Sequence, residues 1–188
     1  MECTKTYYAM KIAGINRALE LFPIDENTQI AAFIMFNDTE ITEAAAAELL
    51  KIVPEYDVIM TAECKGIPLV YGMARQAKKP YIVARKKPKL YMKDIISTDA
   101  DSITTAGLQS LCIGSSDVEA IRGKRVLIAD DVISTGGSVL AVEALVNAAG
   151  GIIVGKAAVL AEGKAADRTD IIFLEKLPLF DKNGEPIC

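Results

Sequence analysis

Between positions 7 and 21 apolar residues recur at helical intervals, with Ile12, Ile15, Ala18 and Leu19 on one side. This predicts an amphipathic helix closed by Pro23. Residues 29–36 form an apolar run with aromatic content, read as a strand or as a loop over a site. Residues 42–53 are rich in Ala, Glu and Leu, with Thr42 as a candidate cap and Pro54 just beyond, so a second helix is predicted there. A buried strand is expected over 58–62, then a Gly-containing turn at Glu63-Cys64-Lys65-Gly66, then a helix over 69–77. A short strand at 80–84 follows, and after it a basic segment and a polar stretch, 94–107, of the kind that is functional when it lies inside a compact domain. Further strands are expected at 108–113, 126–129, 152–160 and 171–174, with a helical turn at 115–120 and a helix over 138–149 ended by Gly150.

Strands that alternate with helices imply a mostly parallel, right-handed α/β sheet with helices on both faces. Loops at the C-terminal strand ends, after Ala62, Ala84 and Ala129, then converge on one crevice. A chain of 188 residues suits a single domain spanning 1–188. No apolar run approaches the roughly 18 residues of a membrane helix, since 150–160 is broken by Lys156, so no membrane partner is expected. The first residues lack the basic-then-apolar pattern of a secretory signal, and a cytoplasmic location is expected by default.

Chemistry narrows the picture further. Cys3, Cys64, Cys112 and Cys188 are scattered with no C-x-x-C pair, which argues for free thiols and against structural zinc or a disulfide scaffold. Histidine is missing, which removes imidazole bases and His-ligated metals and leaves proton transfer to carboxylates, Tyr, Lys or the substrate. The net charge of -4 disfavours nucleic acid as a partner. Yet Lys78, Lys79, Arg85, Lys86, Lys87, Lys89 and Lys93 place seven of the 21 basic residues in one short segment.

The most informative stretch is 126–138, Val-Leu-Ile-Ala-Asp-Asp-Val-Ile-Ser-Thr-Gly-Gly-Ser. A strand buried on both faces delivers Asp130 and Asp131 to the crevice. Ser134, Thr135, Gly136, Gly137 and Ser138 then offer consecutive backbone N–H groups at the start of a helix, a cradle for a phosphate dianion. Carboxylates repel phosphate, so the acid pair must face something neutral or positive. Ribose hydroxyls satisfy carboxylate oxygens, and a sugar carbon that gains positive charge in a transition state is stabilised by fixed negative charge. Neither G-x-G-x-x-G nor G-x-x-x-x-G-K-S/T is present, which argues against dinucleotide and nucleoside-triphosphate loops.

This stretch resembles the phosphoribosyl-diphosphate signature of the type I phosphoribosyltransferases. Other segments resemble the purine branch of that family. Glu63-Cys64-Lys65-Gly66 is similar to its pyrophosphate loop, with Lys65 as the basic side chain. Residues 85–90 resemble a segment that opens a mobile loop at a dimer interface, so Arg85 and Lys89 are expected on pyrophosphate. Phe36-Asn37-Asp38 resembles an element whose aromatic ring covers the purine, which puts Phe36, Asn37 and, from the signature strand, Ile133 at the base. The resemblance implies the type I fold with a small hood built from about 1–40 and 161–188. It implies catalysis by Asp130 and Asp131, magnesium carried with the donor rather than by protein ligands, and a homodimer. The implied reaction moves 5-phosphoribosyl from phosphoribosyl diphosphate to a purine, with adenine favoured. Xanthine, hypoxanthine or guanine, or a non-catalytic sensor of the donor, are the alternatives. Departures concern the base: no acid stands in Ser102-Ile103-Thr104-Thr105-Ala106-Gly107, Asn37 replaces an Arg, and Gly163 stands where the xanthine enzymes place a Lys.

Overall fold

The protein is described by a computed structural model, which covers residues 6–98 and 110–187. Its centre is a five-stranded parallel sheet of β4 (Val58–Ala62), β5 (Tyr81–Ala84), β8 (Arg125–Ile133), β9 (Ile152–Glu162) and β10 (Ile172–Leu177), in the order β10-β9-β8-β4-β5. The inner strands are mostly apolar because both faces are covered. Val58, Met60, Val126, Ile128 and Ala158 pack on one side with α3 (Ser115–Ile121) and α4 (Gly137–Ala148). Ile59, Leu127, Ala129, Ala157 and Val159 pack on the other with α1 (Thr39–Leu50) and α2 (Ile67–Ala77). Helices α1 and α2 meet at Gly72, where an added Cβ would lie 3.2 Å from that of Ala46.

From β4 the chain crosses to β5 on one side, then returns to β8 on the other and runs outward to β9 and β10. The order therefore reverses between β4 and β8, and the crevice beyond their C-terminal ends is the place where open α/β sheets take ligands. Strand β8 continues through both acids to Ile133, rather than stopping at Ala129.

The expected N-terminal helix over 7–21 is not formed. Residues 7–23 make an antiparallel hairpin of β1 (Tyr7–Ile12) and β2 (Ile15–Pro23), paired from Tyr7 with Glu20 to Ile12 with Ile15. Gly14 at φ +84° and Ala13 at φ +48° make the two-residue reversal, a left-handed pair that helix periodicity does not register. Along β2 burial alternates, with Leu19 and Leu21 inward, so the side chains that mimicked a helical face sit at strand period. The hairpin continues into β3 (Thr28–Ala32), then β11 (Leu179–Asp181) and β12 (Pro186–Ile187), forming a second sheet from both ends of the described chain. A two-stranded ladder, β6 (Ile96–Ser97) with β7 (Cys112–Ile113), completes the sheets.

Helix α1 begins earlier than expected, because Asp38 rather than Thr42 caps it, accepting from the Ile41 N–H at 3.1 Å. Arg17 on β2 donates to both Asp38 oxygens, at 2.7 and 3.0 Å, which ties the hairpin to that cap.

Candidate functional site

A cavity of about 560 Å³ opens at the switch point. Its walls come from the C-terminal ends of β4, β8 and β9, from the turn after β4, and from residues 30–34 of the second sheet. Against it lies a socket of about 50 Å³ formed by Asp130 and residues 132–139, the size of a small anion. Gly136, at φ +84°, caps α4 without a side-chain bond, so the amides at this helix start are not occupied by a capping oxygen. Ser134, Thr135, Gly136, Gly137 and Ser138 thus meet in one socket. Neither Ser134 nor Thr135 serves as the helix cap.

The acid pair is set deeply. Asp131 is 3% exposed, and its Oδ2 is buried without a hydrogen-bond partner among the described residues. Lys65 Nζ lies 3.8 Å from that oxygen, beyond hydrogen-bond reach. Asp130 Oδ1 accepts the Asp131 backbone N–H at 2.9 Å. Burial first, and the neighbouring Asp131 carboxylate second, push the Asp130 carboxyl well above the usual carboxylate range. A buried carboxylate oxygen without a partner is satisfied by a hydroxyl donor.

The turn after β4 supplies the opposite wall. The Glu63–Cys64 peptide is cis. Glu63 accepts the Lys86 backbone N–H at 3.0 Å and faces Arg85 at 3.6 Å, and with Lys89 nearby these contacts hold its carboxyl below its ordinary range. Glu63 therefore fastens the basic segment to the turn. Gly66 is required by space: a Cβ there would collide with Thr61 Oγ1 and come within 2.6 Å of Asp130 Oδ1.

The expected residues divide into two groups. Asp130, Asp131, Ser134, Ser138 and Lys65 line the main cavity. Arg85 instead lines a separate cleft with Tyr91 and Asp117, and Lys89 lines neither, although its charge reaches Glu63. The structure does not bring Phe36 and Asn37 to the cavity either. Phe36 is 45% exposed and lies with Asn37, Pro68 and Tyr71 in a cleft on the α1–α2 side, because Asn37 takes a left-handed turn (φ +65°) into the α1 cap. Ile133 is a core residue that lines the socket but not the main cavity, while Val132 faces the cavity. Among the described residues, Ile30, Ala31, Ala32, Phe33, Ile34, Ala62 and Val132 are its apolar walls. The segment Ser102–Gly107 lies outside the described residues.

Sequence reasoning read Lys86 and Glu63 only as members of the basic segment and of the Gly-containing turn, and gave neither a site role of its own. It also missed Arg168, whose Nη1 would lie 2.7 Å from a Cβ on Gly136 while its Nε and Nη2 donate to Asp170. No sequence signal marked that residue.

A doubly covered parallel sheet with an acid pair and an anion-sized amide socket at its switch point places the chain among the open α/β proteins with a ligand crevice beyond the strand ends. Residues 35–183 match the phosphoribosyl transferase domain, and the chain belongs to that family. It is similar to a hypoxanthine/guanine phosphoribosyltransferase of Ferroglobus placidus, 30% identical over 132 residues that cover 70% of this chain and 67% of that one. It is also similar to an adenine phosphoribosyltransferase of Malacoplasma penetrans, 33% identical over 55% of this chain and 57% of the relative's length, so the match spans little more than half of that relative. An orotate phosphoribosyltransferase of Methanospirillum hungatei is 30% identical over 69% of this chain and 63% of its own length. Among solved structures, adenine phosphoribosyltransferase from Thermoanaerobacter pseudethanolicus shares the fold, with a TM-score of 0.67 at 23% identity over 84% of this chain and 95% of that one.

Proposed function

We propose that the chain transfers 5-phosphoribosyl from phosphoribosyl diphosphate to a purine base, adenine favoured, giving a nucleoside monophosphate and pyrophosphate. The observation that carries this is the partnerless, buried Oδ2 of Asp131 in a cavity that adjoins an anion-sized amide socket. The adenine and hypoxanthine/guanine relatives support a purine acceptor.

In this reading the amides of 134–138 hold the 5-phosphate and fix the ribose above the acid pair. The buried Asp131 oxygen and Asp130 accept ribose hydroxyls, and their negative charge stabilises the positive ring carbon as its bond to pyrophosphate breaks. Lys65 and Lys86 face the leaving diphosphate from the opposite wall. The base enters beside Phe33, Ile34 and Val132 under the second sheet, which takes the part of the hood. A ring nitrogen forms the new bond to C1 as pyrophosphate departs with the electron pair of the old one.

Magnesium fits this donor set only in part-share with the substrate. Asp130 and Asp131 offer hard oxygens, and no cluster of three acid or thiol side chains suited to an ion occurs among the described residues. Asp130 and Asp131 would hold it through water, with the diphosphate supplying the remaining oxygens, and the ion would neutralise charge on the leaving group. We take the acting species to be a homodimer, supported by the exposed Tyr71, Tyr81, Leu90 and Tyr91.

The test is a pyrophosphate-release assay with donor, magnesium and each purine in turn. One purine should release pyrophosphate in a base-dependent manner. Release with none of them would overturn the reading.

A further inference from the structure

Among the described residues, four carboxylates line the main cavity: Glu63, Asp130, Asp131 and Glu162. Three are committed. Glu63 is tied to the Lys86 N–H and to Arg85, Asp130 accepts from the Asp131 N–H, and the buried pair answers to the ribose in the reaction proposed above. Glu162 ends β9 beside β8, is half-buried, and has no hydrogen-bond or ion-pair partner among the described residues. The chain holds no histidine. A neutral purine, meanwhile, carries a proton on the ring nitrogen that must lose it when the glycosidic bond forms.

We infer that Glu162 is the proton acceptor for the attacking base. This rests on the transfer reaction proposed above. The lone pair of the ring nitrogen forms the bond to C1, the bond from C1 to the diphosphate oxygen breaks with its electrons leaving on pyrophosphate, and the ring proton passes to a Glu162 oxygen. Atoms and charge balance without any further reactant. The environment suits the task. Burial raises the Glu162 carboxyl above its ordinary range, and among the described residues the charge that opposes this is Lys65, from the turn after β4. Asp130 and Asp131 on β8, Glu63 on the β4 turn and Lys86 beyond β5 share the cavity without bonding to it. A base whose proton affinity is raised towards neutrality accepts a proton more readily than an ordinary surface carboxylate. Gly163, which follows at φ +55°, turns the chain directly into the 3-10 turn Gly163–Asp167, leaving Glu162 as the last side chain of its strand at the cavity.

The experiment compares the full-length protein with Glu162→Gln, a change of similar size that cannot take a proton. With the best purine, kcat should fall ~100-fold or more, the usual worth of a positioned general base. Calorimetric affinity for phosphoribosyl diphosphate and the melting temperature should stay in place. An 8-aza purine, whose ring N–H is more acidic, should lose much less, an effect that a merely structural role would not produce. Unchanged kcat, or equal losses with both bases, would overturn the inference. If the unaltered protein binds no donor, the transfer reaction itself fails, and that result is distinct from either.

Discussion

Asp130 carries opposite demands at the scale of a single residue. In the ligand-free protein its carboxyl holds a proton above the pH at which the unfolded chain releases it, because burial and Asp131 disfavour the charged form. Through that interval the folded state binds more protons than the unfolded state, so this group's contribution to stability falls as pH rises. Asp130→Asn should therefore raise the melting temperature at neutral pH, by roughly 2–4 °C per kcal/mol relieved, and flatten the decline above the ordinary Asp range. Donor affinity and turnover should fall in the same variant. Thermal scans across pH, set beside calorimetry, check both halves, and a lower melting temperature at neutral pH would contradict the account. Gly66 is a second test. A methyl there meets Thr61 Oγ1 and Asp130, so Gly66→Ala should cost about 1–3 kcal/mol in urea unfolding, as overpacking does, and weaken donor binding by displacing Asp130. The acids and the glycine loop were legible in the sequence because they follow one another along one strand, turn and helix start, which brings them together in the fold. Glu63, Lys86 and Arg168 were not, because each matters through a partner distant in sequence or through space at a glycine.

Elements were legible where burial is two-sided. Strand β4 matches its expected span, because a short, mostly apolar run bounded by a Gly-containing turn suits a strand covered on both faces. The residues of β1 and β2 misled because Ile12, Ile15, Ala18 and Leu19 satisfy a helical interval by coincidence, while the reversal at Ala13-Gly14 was left out of that reading. Helix α4 gives an element-scale prediction. Gly136 sits at φ +84° with Arg168 over it, so Gly136→Ala combines a left-handed strain of about 1 kcal/mol with a collision against the guanidinium. Affinity for the donor should drop while far-ultraviolet circular dichroism stays unchanged, and an unaltered affinity would show that the socket is not the phosphate site. On the opposite face, Gly72→Leu should separate α1 from α2 and destabilise by about 1–3 kcal/mol in urea without touching the cavity.

At the scale of the whole molecule, the alternation of strands and helices was enough to anticipate a parallel sheet, but not its order. The reversal between β4 and β8, which locates the crevice, follows from pairings that sequence does not display. The second sheet shows the same limit, since Phe180 pairs with Gln29 across most of the chain, and Phe180 then packs its ring 4.9 Å from that of Tyr8. That sheet brings residues 30–34 over the cavity, and so decides that Phe33 and Ile34 line it while Phe36 turns away. The central claim is that this crevice grips an activated ribose between backbone amides and a buried acid pair. Titration calorimetry of phosphoribosyl diphosphate with magnesium into the folded protein tests it most directly. The account predicts saturable binding at one site per chain that Asp131→Asn abolishes. A flat titration with the native chain, or full affinity in the variant, would contradict it.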